Sequence, residues 1–217
     1  MKPQFYAHPF SSYCQKVLIA LYENGTEFEY RHLEEGDAGK ELEALWPLKR
    51  FPILVDKDRT ILETSTIIEH LQLHHPGPVR LIPEDSDAAI EVRMLDRIFD
   101  NYVMGSAQKP VFNAIRPEGE RDPFGVAEAH AMLEKIYAWL DARMAGREWA
   151  AGDGFSLADC AAAPSLFYAD WVREIPQPLE NLRAYRARLL ARPSFARAVD
   201  EARRYRHYFP LGAPERD

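Results

Sequence analysis

Two adjacent serines, Ser11 and Ser12, stand between a short apolar run and an amphipathic stretch. Apolar residues recur from Cys14 to Tyr22 at i, i+3, i+4, i+7 and i+8, a spacing that predicts one face of a helix. The serines therefore lie where a helix begins and its first backbone N–H groups are unpaired. Such a helix start attracts anions through these donors and through its dipole.

The position of each serine relative to Gln15 predicts different roles for the two. Ser12 and Gln15 fit the S-x-x-Q capping box, in which the serine hydroxyl accepts the backbone N–H three residues on and the glutamine reaches back. We therefore expect Ser12 to cap the helix and Ser11 to face a ligand above the helix start. Taken alone, this segment favours the interpretation that both serines are turn or cap residues without a chemical role.

Two further features are able to bind an anionic or peptide-like ligand. Glu63 and Thr64 open a second predicted helix, although an acid and a hydroxyl suit the start of any helix. Pro52 precedes the apolar run Ile53-Leu54-Val55 and is expected at a strand start. Its bond to Phe51 has only about a 5% chance of being cis from X-Pro statistics alone.

Metal and redox chemistry is not expected. His70 and His74 have the i, i+4 spacing of paired metal ligands, but the sequence offers no evident third ligand, and histidines suit a helix end through its dipole. Cys14 is interpreted as a core residue of the first helix. The sequence therefore predicts no metal site.

These residues must be positioned by a small α/β unit. Lys2 to Ala7 is predicted as a strand, residues 12 to 24 as a helix and Glu27 to Leu33 as a strand. A short helix from Gly36 to Trp46, a hairpin and a helix from Thr64 to His75 follow. After the proline-rich segment Pro76 to Pro83, strand signals stop and helical periods continue. The predicted helices span 86–116 with a kink at Pro110, 124–144, 156–172, 179–190 and 193–205.

Composition excludes several classes of function. The chain has 217 residues, 47% hydrophobic and 28% charged, with a formal net charge of −7. That charge argues against a nucleic-acid partner, which needs clustered Lys and Arg. No run approaches the length of a membrane span, and no signal peptide is evident at the start. Two cysteines far apart give no disulfide framework, so we expect a cytoplasmic protein.

The turn Ser11-Ser12-Tyr13-Cys14 resembles the Cys-Pro-Tyr-Cys active-site turn of thioredoxin-like folds, with serine in place of the first cysteine. A serine at that place resembles the serine-type (theta/zeta-like) cytosolic glutathione transferases of bacterial style. Residues 63–71, Glu-Thr-Ser-Thr-Ile-Ile-Glu-His-Leu, resemble this family's Glu-Ser-x-Ala-Ile-x-x-Tyr-Leu motif. Residues 46–52 match the family's Asn-Pro-x-Gly-Lys-Val-Pro only loosely, and Ser156 to Asp159 resembles the buried cap of its helical domain.

The resemblance covers essentially the whole chain. It implies a thioredoxin-like domain with a mixed four-stranded sheet over residues 1–76, a linker over 77–85 and an all-helical domain over 86–217. It also implies a cis Phe51-Pro52 bond, a homodimer, and glutathione as co-substrate with a small electrophile as acceptor. The implied glutathione-binding residues are Lys49, Arg50, Phe51, Pro52, Glu63 and Thr64. The acceptor pocket is expected around His8, Phe10, Tyr102 and Phe112.

Ser11, with Ser12 next, is the best candidate to activate the glutathione thiol. The position where other branches carry a tyrosine is Ala7 here, and Tyr6 is one residue off, which turns its side chain to the opposite face of the strand. Two alternatives to a transferase stay open: a glutathione-dependent isomerase or peroxidase, and a non-catalytic binding module. The zeta branch, an isomerase, has Ser-Ser-Cys at the turn, so Tyr13 counts against that reading.

Overall fold

The computed structural model describes residues 2–217; Met1, which belongs to the first predicted domain, lies outside the described residues. The predicted order of elements in the first part of the chain is confirmed, with ends that differ by a few residues. The elements are β1 (Gln4–Ala7), α1 (Ser12–Glu23), β2 (Glu29–His32), α2 (Ala38–Leu45), β3 (Ile53–Asp56), β4 (Arg59–Ile61) and α3 (Thr64–His74).

Within the described residues, the strands form one mixed four-stranded sheet in the order β2-β1-β3-β4. β1 runs parallel to β2, with Phe5 opposite Tyr30, and antiparallel to β3, with Phe5 opposite Leu54. β4 pairs antiparallel with β3. This is the thioredoxin-like arrangement that the sequence predicts. It brings the start of β3 next to the end of β1, and so places Pro52 beside the turn that leads into α1.

The rest of the chain is helical, as predicted. Its helices are α4 (Ser86–Ile98), α5 (Gly105–Ala114), α6 (Pro123–Met144), α7 (Leu157–Val172), α8 (Glu180–Ala191) and α9 (Pro193–Ala202). Pro110 lies inside α5, and the kink expected there stays a prediction. The regular helix is interrupted earlier, by a π-helical segment from Phe99 to Met104. The wider π turn inserts a residue into the helical register, and such segments are frequent at functional sites.

Helix α1 is the centre of the core. Its residues from Cys14 to Leu21 are at most 2% exposed, because α3, α7 and α9 pack against the helix and apolar strand residues share its core cluster. A helix buried on all sides is expected to be apolar all round. Lys16 breaks that rule at 1% exposure and needs a partner. The two parts of the chain share one continuous apolar cluster across this helix.

The predicted cap at Ser156 and Asp159 is confirmed. The Asp159 carboxylate accepts the Ser156 backbone N–H at 2.9 Å, and its other oxygen accepts the Tyr185 hydroxyl at 2.6 Å and the Ala150 N–H at 2.9 Å. Burial raises the pKa of Asp159, and these hydrogen bonds oppose the rise. The cap therefore joins α7, α8 and the preceding loop.

Among the helices of residues 2–217, none combines the length and apolar character that a membrane span requires.

Candidate active site

A cavity of about 640 Å³ opens between the sheet and the helices that follow it. One wall comes from the start of α1, the segment before β3 and the start of α3. The opposite wall comes from the π-helical segment, α5, α7 and the segment after α9. Predicted ligand-binding residues that line the cavity are Phe10, Ser11, Ser12, Lys49, Arg50, Phe51, Pro52, Glu63, Thr64 and Phe112.

The cap of α1 is Ser11 and not Ser12, so the predicted division of roles is wrong. Ser11 has extended backbone angles, φ −83° and ψ 125°, and its Oγ accepts the Cys14 N–H at 3.3 Å. Ser12 is already the first helical residue. Gln15 does not reach back to Ser12; its amide donates to Pro9 O at 3.0 Å and to the Tyr168 hydroxyl at 3.1 Å. The contact with α7 takes the glutamine away from the helix start.

Capping leaves the Ser11 hydroxyl able to donate. A serine hydroxyl carries one donor and two acceptor lone pairs, and the Cys14 N–H occupies only an acceptor position. The bond holds Oγ in place at the cavity wall. The backbone N–H groups of Ser12 and Tyr13 precede the first intrahelical donors and belong to residues that line the same wall. This corner of the cavity therefore suits an anion.

The Phe51-Pro52 peptide bond is cis, as the resemblance implies. Pro52 is buried, whereas the Phe51 side chain is 40% exposed. Ile53 is opposite Tyr6, the first pairing of β3 with β1, so Phe51 lies beyond the paired part of the strand. The backbone of Phe51 is therefore placed to pair with an extended ligand as an added strand would.

Glu63 and Thr64 form the third part of this wall. Glu63 precedes α3 with φ 64° and ψ 125°, a conformation that non-glycine residues adopt rarely and that costs of the order of 1–3 kcal/mol. Its side chain does not cap the helix and is exposed at the cavity. Thr64 is 7% exposed and is the first residue of α3. The Glu63 carboxylate can bind a cationic group, and the unpaired N–H groups at the start of α3 can bind an anionic group. Together they can bind a zwitterion.

The two cations predicted for this wall differ in their partners. Lys49 Nζ lies 2.7 Å from Glu43 Oε1, so its charge is already paired. Arg50 is exposed and has no ion-pair partner among residues 2–217. Arg50 is therefore the better site for a ligand carboxylate.

Sequence reasoning missed a buried charge network below the cavity. Lys16 Nζ lies 2.7 Å from Asp100 Oδ2, and Arg97 Nη2 lies 2.7 Å from both Asp96 Oδ2 and Asp100 Oδ2. Burial raises the pKa of Asp100, in opposition to the Lys16 ammonium. Arg97 and Asp100 also line the cavity. Lys16, a lone charge in the otherwise uncharged segment from Ser11 to Tyr22, was the signal that could have indicated this network.

The opposite wall is mostly apolar. Phe10, which precedes α1 on the first wall, packs edge-on against Tyr168 of α7, with ring centroids 5.5 Å apart. Phe112 of α5 is 45% exposed. The other apolar lining residues are Met104, Ala107, Val111, Val172, Phe209 and Pro210.

Two predicted pocket residues lie elsewhere. His8 is 9% exposed, and its ring packs against His32 and Tyr205 with Nε2 3.3 Å from Glu34. Tyr102 is 51% exposed but does not contribute to the lining. Neither residue lines the cavity in which the acceptor pocket was expected. His8 follows the last residue of β1 and turns toward β2.

Other candidate nucleophiles and donors are poorly suited to the role. Cys14 is fully buried, and burial raises the pKa of its thiol to about 12. Burial likewise raises the pKa of Tyr13 to about 12. The Tyr6 hydroxyl donates to Glu41 at 2.9 Å, and its side chain packs in a separate cluster with Ala38, as expected from its register. Ser11 stays the best-placed hydroxyl.

Two protein-family models match the chain. The model described as "Glutathione S-transferase, N-terminal domain" matches residues 5–79, and "Glutathione S-transferase, C-terminal domain" matches residues 123–188. The first match includes the Ser11, Phe51-Pro52 and Glu63-Thr64 wall of the cavity.

Individual relatives agree with these matches. A probable glutathione S-transferase of Oryza sativa subsp. japonica is 30% identical over 175 residues, covering 76% of this chain and 72% of the relative. A stringent starvation protein A homolog of Coxiella burnetii is 25% identical over 199 residues, covering 91% of each chain. A solved glutathione S-transferase of Methylobacterium radiotolerans, in complex with glutathione sulfonate, has a TM-score of 0.79 at 29% identity. It covers 92% of this chain and 95% of that one.

Proposed function

This chain belongs to the glutathione S-transferase family, and from that premise we propose that it is a serine-type transferase that activates the glutathione thiol for attack on a small electrophile. One observation carries the proposal. The cavity brings the Ser11 hydroxyl, the cis Phe51-Pro52 bond and the Glu63-Thr64 helix start onto one wall. These segments are far apart in sequence, and each matches a different part of one ligand.

Glutathione fits this wall along its length. The Glu63 carboxylate would accept from the α-ammonium of the γ-glutamyl end, and the Thr64 hydroxyl with the α3 N–H groups would hold its α-carboxylate. The Phe51 backbone would pair with the cysteinyl part. Arg50 would bind the glycine carboxylate, with Lys49 in a secondary role because it is paired to Glu43.

This orientation places the thiol at the start of α1. The Ser11 hydroxyl donates to the sulfur, while the N–H groups and dipole of the helix start add to its stabilisation. The thiol proton leaves to solvent, since a hydrogen-bond donor does not need to accept it. The thiolate then forms a C–S bond with the electrophilic carbon, and the leaving group departs with the electron pair of the bond that breaks. When the electrophile has no leaving group and the thiolate adds to a double bond, the displaced electron pair of that double bond takes up a proton instead.

The acceptor would bind against Phe10 and the apolar wall formed by Phe112 and the residues after α9. This wall faces the proposed thiol position across a cavity of about 640 Å³, a size typical of small-molecule sites. Its composition favours an apolar electrophile with few polar groups. The identity of that electrophile is the subject of the assay below.

We further propose a cytoplasmic homodimer. Leu73 on α3 and Ile90 and Met94 on α4 expose 74%, 64% and 46% of their surface, respectively. Large apolar side chains grouped on neighbouring helices are typical of an interface. The free buried thiols of Cys14 and Cys160 agree with a reducing compartment.

The direct test is a panel assay with glutathione and several electrophiles, including aryl halides, enones and hydroperoxides. It is paired with a titration of the bound thiolate by its ultraviolet absorbance. We expect saturable glutathione binding, a thiolate midpoint below that of free glutathione, and turnover of at least one electrophile. Binding without a lowered midpoint would contradict serine activation. Cis–trans isomerisation of an enone without net consumption of glutathione would instead favour the isomerase, and turnover restricted to hydroperoxides would favour the peroxidase.

A non-catalytic binding module is the second candidate. The similarity to the stringent starvation protein A homolog over 91% of the chain favours it, because it joins this chain to a protein that is not named a transferase. Such a module would show neither a lowered thiolate midpoint nor turnover in the panel, even if the cavity binds a ligand.

A further inference from the structure

A second side-chain cluster lies at the other end of β3 from the cavity. Asp56 is the last residue of β3, His70 lies on α3, and His75 directly follows that helix. Their ligand atoms all lie within 4.8 Å of one another. His70 Nε2 is 2.9 Å and His75 Nε2 is 2.8 Å from the same oxygen, Asp56 Oδ2.

The structure corrects the sequence-based argument against a metal at this helix. The pair with metal-ligand spacing in the sequence, His70 and His74, is not the one that converges. His74 is exposed and packs its ring 4.4 Å from that of His70, but it is not one of the converging ligands. His75 leaves the helical path with φ −135° and ψ 54° and turns back toward Asp56. The missing third ligand is Asp56, which stands 14 residues before His70 and is brought beside it by the sheet.

Only one of the two Asp56 carboxylate oxygens has hydrogen-bond partners in the part of the protein that the structure describes. Asp56 is 5% exposed, and its second oxygen, Oδ1, is buried without a hydrogen-bond partner among residues 2–217. A buried carboxylate oxygen without a partner is costly and needs an explanation. Arg59, which is opposite Asp56 in the hairpin, is exposed and does not pair with this carboxylate in the described residues. A cation bound at this carboxylate would compensate its buried negative charge.

We propose that Asp56, His70 and His75 bind a divalent transition-metal ion, with Zn²⁺ as the natural probe. Two imidazole nitrogens and one carboxylate oxygen form a donor set that suits zinc, at about 2.0–2.2 Å from each atom. Those lengths put the donors of a tetrahedral site about 3.3 Å apart. The observed separations of 2.8 and 2.9 Å need to widen by only about half an ångström, which small side-chain rotations provide.

The surroundings also favour a cation. The cluster lies at the C-terminal end of α3, where the helix dipole is negative. The His75 side chain is 25% exposed, which gives the ion an entry path and leaves room for water as a fourth ligand. The ion would fasten the β3–β4 hairpin to the end of α3 and to the start of the proline-rich segment. This role is independent of the proposed transferase activity, because the cavity is formed at the opposite ends of β3 and α3.

The test uses the full chain without an affinity tag, stripped of metal by a chelator and kept free of glutathione, whose thiol binds zinc. Zn²⁺ is titrated by calorimetry and by competition with a chromogenic chelator, and Co²⁺ is added separately for its visible spectrum. We expect one ion per chain at micromolar zinc and the intense spectrum of four-coordinate cobalt. With zinc about 100-fold above its Kd, the Tm is expected to rise by roughly 5–10 °C.

Matched variants locate the ion. His75→Gln and Asp56→Asn should weaken zinc binding by more than about tenfold and abolish the cobalt spectrum. His74→Gln, the adjacent exposed histidine, should leave both unchanged. If Asp56→Asn fails to fold, His70→Gln supplies the second ligand deletion. Absence of saturable binding at micromolar zinc, or equal weakening by His74→Gln and His75→Gln, would overturn the site. Unchanged binding in His75→Gln would do the same.

Discussion

The hydroxyl of Ser11 is expected to stabilise both the start of α1 and the thiolate of bound glutathione, and substitutions can separate the two effects. Ser11 Oγ accepts the Cys14 N–H at 3.3 Å, so Ser11→Ala removes a helix cap and a thiolate donor together. Ser11→Gly also removes the donor but preserves most of the capping preference. The two variants should therefore behave alike toward the thiol and differently toward unfolding.

The magnitudes follow from the hydrogen bonds involved. A hydroxyl that donates to a charged group contributes about 1.5–3 kcal/mol, which corresponds to about one to two pKa units at about 1.4 kcal/mol per unit. Both variants should thus raise the thiolate midpoint by about one to two units and reduce turnover about tenfold or more near neutral pH. Loss of the cap in Ser11→Ala should lower the free energy of unfolding by about 1 kcal/mol, or the Tm by about 2–4 °C. Ser11→Gly should lower the free energy of unfolding by only a few tenths of a kcal/mol.

The assay is a pH titration of the bound thiolate absorbance beside a thermal melt of each variant. Tyr13 and Cys14 do not contribute to a midpoint near neutral pH, because burial raises the pKa of each to about 12. Asp85, which caps α4 by accepting the Ala88 N–H at 2.9 Å and does not line the cavity, is the matched control. Asp85→Ala should lower the Tm without moving the midpoint.

Two results would refute the reasoning about Ser11. If Ser11→Gly titrates like the parent protein, the Ser11 hydroxyl is not the donor. If Ser12→Ala shifts the midpoint and Ser11→Ala does not, the donor is the neighbouring serine. A midpoint that no serine substitution moves would assign activation to the backbone N–H groups or to Tyr13.

The remaining predictions concern ligand contacts, the helical cap and assembly. Glu63→Gln should weaken glutathione binding by roughly 1.5–3 kcal/mol, measured by calorimetry; an unchanged Kd would mean that the ammonium contact is misassigned. Arg50→Ala should raise the KM for glutathione more than Lys49→Ala does, because Lys49 is already paired with Glu43; the reverse order would exchange their roles. Asp159→Ala should lower the free energy of unfolding by about 3 kcal/mol or more, since it deprives several buried donors of their acceptor, and a urea melt within about 1 kcal/mol of the parent would contradict this. Light scattering at micromolar concentration should give twice the 24.9 kDa chain mass, and a single species of chain mass would refute the dimer.

Much of the fold was predictable because its signals are local. The alternation of strand residues, the 3.6-residue period of the helices and the proline-rich segment after His75 indicated the element order correctly. The Ser156 to Asp159 cap was predictable for the same reason, since the capping box is a property of four consecutive residues. The cis bond at Phe51-Pro52 followed from the family motif and not from proline statistics.

The composition of the cavity wall was also largely predictable, but the exact direction of its side chains was not. The sequence by itself determined that hydroxyls begin α1, that a proline begins β3 and that an acid precedes α3. Only the tertiary structure decided that Ser11 caps the helix while Gln15 turns to Tyr168, because the choice depends on one pair of backbone angles and on a contact with α7. The same holds for His8, which points to β2 and not into the cavity.

Features that join distant segments were beyond sequence reasoning. The Lys16, Arg97 and Asp100 network joins α1 to the π-helical segment, and the Asp56, His70 and His75 cluster joins a strand end to a helix end. Local patterns specify where an element begins and which of its faces is apolar. Which charged groups meet across elements depends on how those faces pack, and packing energy is summed over the whole core. The sequence therefore determined the elements and one wall of the site, and the tertiary structure alone decided which buried charges and ligands converge.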